Sequence, residues 1–348
     1  MRRTVTVSLI AAGLVAAVAA PALACAGLVA PNGSVRLTRT ATLAGYHDGV
    51  EHYVTSFEFK GGGAKFGSIV PLPDVPSKVT RGGKWTLQRL QRETQPPQAV
   101  PDSGGPPSAP APKPAEELYE TEIDGLLITI LKGGSRAVGK WAKKEGFALT
   151  PDAPEVLRFY AQRSKIFMAA RFIPEKARDE EKLQEGDGVP IHLRIPTDNP
   201  WVPLRVLALG KRPYQDVNAD VYLLTDDEPA LLPAPVQAGS NRGMVLERSE
   251  EASDLLLDDL RSDKGMKWIP EEMWLTYLRI EMNARNLVYD LAVDASGSGA
   301  PSEEDAYGVQ EEEEQSETAG DDAYLLSWIV VPIAGVGAVR ALRSRRRG

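Results

Sequence analysis

Two of the chain's three histidines, His47 and His52, bracket an Asp48-Gly49 pair in the stretch YHDGVEHY. Asp-Gly tolerates positive φ at both central positions and so closes a two-residue β-hairpin. Position 47 then pairs with 50 and position 45 with 52. Both imidazoles fall on one sheet face as diagonal neighbours, within reach of a common metal ion. The spacing has one residue more than a zinc-protease helix motif, and a third ligand would have to come from elsewhere. A plain polar hairpin face is the simpler reading. Asp216, Asn218 and Asp220 carry oxygen ligands at the spacing that opens a calcium loop. Position six is Val221 where glycine makes the sharp turn, position twelve is Asp227 where glutamate is usual, and the stretch continues into DVYLL. The acidic Asp226-Asp227-Glu228 before Pro229 reads as an exposed turn.

Motifs for covalent catalysis are missing: there is no Gly-x-Ser-x-Gly elbow, no phosphate-binding glycine loop and no Cys–His pair. Neither a catalytic residue nor a cofactor is therefore expected. Ile69 to Pro73 (IVPLP), with Trp85 and Trp201-Val202-Pro203, could line a groove for peptide or glycan, or serve as core and edge features.

The elements that must position these residues are mostly strands. Arg36 to Ala44 and Val50 to Lys60 alternate polar with apolar or β-branched residues, the period of a half-buried strand. Further strands are predicted over 66–72, 118–131 with Gly125 as a bulge, 166–172, 191–195, 204–209 and 217–224. The segments 273–281 and 287–293 resemble a last hairpin, with a helix as the alternative for the first. Helices are predicted over 85–94, 136–144, 153–162 behind an Asp152 cap, and 249–260 with Leu255, Leu256 and Leu260 inward. Strands outnumber helices and do not alternate with them. That pattern predicts an α+β fold with a largely antiparallel sheet and a few helices, plus one C-terminal transmembrane helix.

That helix is the run Ala323 to Val339, 17 residues without a charge, close to the shortest stretch that spans a hydrocarbon core of about 30 Å. Five arginines in the nine residues 340–348 set the tail in the cytoplasm by the positive-inside rule. At the other end Arg2-Arg3, the apolar Val5 to Ala20 and the small-x-small Ala22-Leu23-Ala24 form an export signal over 1–24. The same cleavage pattern favours Cys25 as the mature N-terminal residue over a lipid-modified anchor. As the sole cysteine it can form no internal disulfide.

Between these ends the reading divides the chain into a β-rich part at 25–95, a Pro-rich linker or loop at 96–115, the remaining α+β part at 116–295 and an acidic stalk at 296–322. The formal charge is −8 overall; without the seven terminal arginines, 33 basic face 48 acidic residues, or −15. That balance argues against a nucleic-acid partner, which needs a basic footprint.

The blocks DGVEHYVTSF, FGSIVPLPDVPSKV, GGKWTLQRLQRET, VPLRVLAL and WLTYLR occur in this order. Together they resemble the bacterial family catalogued as domain of unknown function 2330, over most of the stretch from Cys25 to Val293. The signal-plus-anchor layout is similar to that of actinobacterial members. The family has no established activity, so the resemblance implies no particular chemistry. The sequence thus predicts an exported, single-pass envelope protein at the cell membrane, with its folded part outside. It would be a non-catalytic binding or structural module, with an envelope protein or glycan as partner. An envelope-acting hydrolase or metal-dependent enzyme, or an accessory subunit of another membrane protein, are the alternatives.

Overall fold

The computed structural model of the chain describes residues 27–29, 36–60, 66–83, 85–94, 120–123, 126–161, 163–172, 186–187, 190–240, 242–296 and 299–308. The export signal, Cys25, the Pro-rich stretch, the apolar run at 323–339 and the basic tail lie outside them. Among the described residues no helix is long and apolar enough to cross a membrane.

Asp48 and Gly49 take φ of 51° and 72°. They close the hairpin of β2 (Arg36–His47) and β3 (Val50–Lys60) in the predicted register, His47 opposite Val50 and Gly45 opposite His52. A nine-stranded sheet grows around this hairpin. Its order is β14 (Val236–Gln237), β15 (Gly243–Glu251), β16 (Trp274–Asn283), β12 (Asp216–Thr225), β2, β3, β10 (Ile191–Pro196) and β5 (Lys78–Arg81), with β9 (Gly186–Asp187) also on β3. A five-stranded sheet runs β1 (Gly27–Val29), β4 (Gly67–Leu72), β8 (Ile166–Phe172), β7 (Leu126–Lys132), β6 (Glu120–Ile123). A small third sheet places β17 (Leu291–Asp294) between β11 (Trp201–Val202) and β13 (Ala230–Leu232). Pairing is antiparallel except between β2 and β12 and between β14 and β15. The fold is a sheet-rich α+β arrangement with few helices.

The period-2 alternation of the strands explains how the layers stack. Val221 and Leu223 of β12, with Leu278 and Ile280 of β16, meet Val70 and Leu72 of β4 and Met168 of β8 in one core between the two large sheets. The alternate residues Tyr222, Leu224, Leu275 and Tyr277 face the other way, onto α1 (Thr86–Thr94) and α4 (Asp254–Ser262) through Leu87, Leu90, Leu256, Leu257 and Leu260. On the far side of the smaller sheet, Ile69, Phe167 and Ala169 pack on α2 (Gly134–Glu145) and α3 (Ala153–Ala161). Four layers result, with each sheet buried on both faces. Strands from either side of 96–115 pair in both sheets, β4 with β8 and β2 with β12, within one compact unit.

Several local expectations are corrected. Residues 205–208 form a 3-10 turn, not a strand: the Leu207 N–H bonds back to the Leu204 carbonyl at 3.0 Å and the Leu209 N–H to that of Val206 at 3.1 Å. Over 118–131 the expected strands are β6 and β7, which pair antiparallel with Ile123 opposite Leu126, while Gly125 lies outside the described residues. The predicted last hairpin does not pair, since β16 lies in the nine-stranded sheet and β17 in the small one. Residues 249–251 finish β15, and α4 starts only after Ser253, whose hydroxyl accepts the Leu256 N–H. Shifting the helix start makes Leu257 the inward residue and leaves Leu255 67 % exposed. The first turn of the predicted stalk is folded: Ser302 caps α5 (Glu303–Tyr307), Ala306 is buried, and its carbonyl accepts the Asp290 N–H.

The N-terminus of α1 is capped from a distance. Asp263, just past α4, accepts the Trp85 N–H at 3.0 Å, the Thr86 N–H at 2.9 Å and the Thr86 hydroxyl at 2.8 Å. Gly83 is required beside it, because a Cβ there would run into the Asp263 carboxylate. Asp263→Ala strands three donors in a buried setting and should cost about 2–3 kcal/mol. Asp263→Asn, which keeps one acceptor, should cost less. Urea midpoints of the full chain check this ranking; an unchanged midpoint for the alanine variant would remove the capping role.

Candidate functional site

His47 and His52 share a sheet face as the register requires, but they engage different partners. His47 Nδ1 lies 2.8 Å from Asp226 Oδ1, and its ring also approaches Asp48. His52 Nδ1 lies 3.0 Å from Nε2 of His192, the third histidine of the chain. The ring of Trp268 stacks on His52 at 3.9 Å and 12°. Trp268 comes so close to the sheet that a Cβ at Gly45 would collide with it. His192 stands on β10 between Ile191 and Leu193, the one polar residue of that apolar triplet. That misplaced polarity is the signal the sequence held for it.

Both rings are buried. Burial, then the neighbouring His192 and Arg194, lower the His52 pKa to about 3. Burial, then Arg194 and Lys78, lower that of His192 to about 4. The pair is therefore neutral at pH 7, one ring donating to the other. Among the described residues no group of three or more His, Cys, Asp or Glu is placed to hold a metal ion.

The calcium reading fails on backbone conformation. Asp216, Asn218 and Asp220 stand on strand β12 and not on a loop, so their side chains are spread along one face. Asp220 is buried and taken by Arg39, at 2.9 and 2.8 Å, and by the Tyr277 hydroxyl at 2.8 Å. Asp216 is exposed and pairs with Arg242 and Asn283.

Of the predicted groove, Pro73 and Trp201 do come together, while Trp85 stands apart beside Asp263. Pro73 and Trp201 line a cavity of 210 Å³ that also involves Arg163, Ser164, Asp305 and the loop Thr197-Asp198-Asn199. Four segments converge there: the end of β4, the α3–β8 junction, the β10–β11 loop and α5. Trp201 and Ser164 are buried, whereas Asp198 and Asn199 are exposed, so the cavity has a buried floor and an open rim.

Arg163 holds the walls in place. Its guanidinium carbon lies 4.2 Å from the Phe159 ring centre and 4.7 Å from that of Trp201. It donates to the buried Asp290 carboxylate and to the carbonyls of Asp305 and Glu304. Asp290 also accepts the Tyr160 hydroxyl at 2.9 Å and the Arg205 N–H at 2.7 Å, and the Tyr160 oxygen accepts the Val206 N–H at 2.9 Å. Burial pushes the Asp290 carboxyl above its ordinary range, while Arg163 and these donors pull it back. Behind the cavity, Glu51 is fully buried on β3. Its Oε1 accepts the Trp201 N–H at 3.4 Å, and Oε2 has no partner among the described residues. Burial pushes its carboxyl well above the carboxylate range.

The family of uncharacterised proteins conserved in bacteria, DUF2330, matches residues 18–245, and the chain belongs to it. No curated protein matches. Among solved structures, baculovirus P35 is similar at 10 % identity and a TM-score of 0.37, over 72 % of this chain and 97 % of that one. A mutated baculovirus P35 after caspase cleavage is similar at 8 % identity and a TM-score of 0.36, over 73 % and 99 %. Likeness at that level carries no argument about fold or function.

Two outcomes follow from these buried groups. Arg163→Met leaves Asp290 without its cation and should cost about 3–5 kcal/mol, read from urea unfolding. A loss below about 1 kcal/mol would show that the pair holds nothing together. The histidine pair makes stability pH-dependent. The unfolded rings titrate near 6.5 and the folded ones near 3 and 4, so the unfolded state binds more protons and stability falls as pH drops below about 6.5. Between pH 7 and 5 the loss should be on the order of 3 kcal/mol, and roughly half that in His192→Gln. Equal pH slopes for the two proteins would contradict it.

Proposed function

We propose that this chain is an exported envelope protein, held by a single span at 323–339 with its folded unit outside and the arginine tail in the cytoplasm. In this reading it works as a non-catalytic binding module, and the cavity at Arg163 and Trp201 is its binding site. One observation carries the binding half. The cavity joins a buried Trp201 floor and an ion-paired wall, Arg163 with Asp290, to an exposed polar rim at Asp198 and Asn199, the combination of apolar surface and a few convergent polar groups that small-molecule sites share. The export signal and the apolar run flanked by arginines support the membrane half.

Protease added to intact cells should digest the folded unit and spare a tag at the C-terminus until lysis. Truncation before residue 323 should release the protein from the membrane fraction. A folded unit that stays protected in intact cells would overturn the orientation. For the binding half, the full chain should be retained on isolated envelope material. Pro73→Trp, which fills the cavity from its rim, should lose that retention.

A further inference from the structure

Charge is sorted along the nine-stranded sheet. Three connections meet at one of its ends: 211–216 before β12, 237–242 before β15 and 283–288 after β16. They hold four basic residues, Lys211, Arg212, Arg242 and Arg285, and a single acid, Asp216. At the opposite end, 225–229, 249–253 and 269–274 hold seven acids, Asp226-Asp227-Glu228 and Glu271-Glu272 among them, and no base. Strand β12 has 10 residues. At about 3.4 Å per residue, the two ends stand roughly 30 Å apart. Screening in physiological salt acts over about 8 Å, so the acids at the far end do not cancel the basic end.

The basic end is also built. The Asn283 amide donates to the Tyr214 carbonyl at 3.1 Å, and the Arg285 N–H to that of Pro213 at 3.0 Å. Asp216 pairs with Arg242. Among the described residues the Arg285 guanidinium meets only Tyr214, its carbon 4.8 Å from the ring centre and Nη1 donating to the hydroxyl at 3.2 Å. Arg212 and Arg285 are both exposed. Five large apolar side chains are exposed among the described residues, and three of them, Tyr214, Val236 and Val288, stand in or beside these connections. A soluble polyanion would meet the cations and leave the apolar groups in water. Lipid headgroups take both, phosphates against the arginines and the tyrosine ring at the interface. Resting on the reading of 323–339 as a span, we propose that this end of the sheet docks on anionic headgroups of the same membrane, with the acidic end turned away. The 14 residues 309–322 reach about 50 Å at most, which keeps the unit in range of that surface.

The test uses the full chain with Cys25→Ser and Asn286→Cys, a fluorophore on the introduced thiol. It is reconstituted into phosphatidylcholine vesicles that carry a headgroup quencher, with or without phosphatidylglycerol. A second protein carries the label through Asp227→Cys, at the acidic end. With phosphatidylglycerol the label at 286 should be quenched several-fold more than the label at 227, and added salt should reverse this. Arg212→Gln with Arg285→Gln should lower the docked-to-free ratio roughly twentyfold, about fivefold for each arginine. The salt series checks the same point without touching those side chains. Equal quenching of the two labels, or quenching at 286 that ignores phosphatidylglycerol, would overturn the docking. Inorganic polyphosphate bound through the same arginines, with no quenching by vesicles, would overturn the lipid and assign the surface to a soluble polyanion. An alkaline wash separates the two readings. Chain washed off the vesicles would overturn the span; chain that stays, with 286 unquenched, would leave the span and overturn the docking alone.

Discussion

The Arg163–Asp290 pair is the contact on which the geometry of the cavity depends. A buried charge is tolerated only when it is paired and its remaining hydrogen-bonding positions are filled. Here the carboxylate collects the guanidinium, a tyrosine hydroxyl and a backbone N–H, while Nη1 of the guanidinium also donates to two carbonyls of α5. Each partner belongs to a different part of the chain. α3 brings Tyr160, the 3-10 turn brings Arg205, the stretch before β17 brings Asp290 itself, and α5 brings the carbonyls. Satisfying one ion pair therefore fixes the positions of four segments at once. Trp201, against which the same guanidinium packs, becomes the rigid wall of a cavity.

That arrangement explains what was legible in the sequence and what was not. The hairpin at Asp48-Gly49 was readable to the register, because turn chemistry and period-2 alternation are local. The buried faces of β12 and β8 followed from continuous apolar runs, which is how strands covered on both sides read. Helix starts slipped where a strand ran directly into a capped helix, as at β15 and α4, since Ser249 and Ser253 are equally plausible caps by type. VPLRVLAL read as a strand because its apolar residues are dense, yet its backbone bonds close on themselves and the Arg205 N–H is taken by the distant Asp290.

The site was legible only in fragments. Pro73 and Trp201 were marked as groove residues, but Arg163 and Asp305 lie 142 positions apart in number and carry no shared motif. Charged residues in a sequence read as solvated by default, and nothing local distinguishes Arg163, whose side chain is 3 % exposed, from a surface arginine. His192 was overlooked for the same reason. Its partner is 140 residues away, and the contact exists only because β10 pairs with β3.

The two buried polar clusters differ in a way that bears on function. The histidine pair shares one bond and leaves His192 Nδ1 and the Trp268 indole N–H without a partner among the described residues, but it is closed under the Trp268 ring and its neutrality removes the need for a counter-charge. The cavity cluster is complete only at its centre. Around the ion pair, the side chains of Asp198, Asn199 and Asp305 stand at the rim of the cavity. A fold under no demand beyond stability can fill such a space with apolar side chains at little cost, because buried polar groups rarely add net stability over well-packed hydrophobic ones. In the proposed binding role, a frame fixed by the ion pair beneath a polar rim would preorganise the cavity for a small molecule.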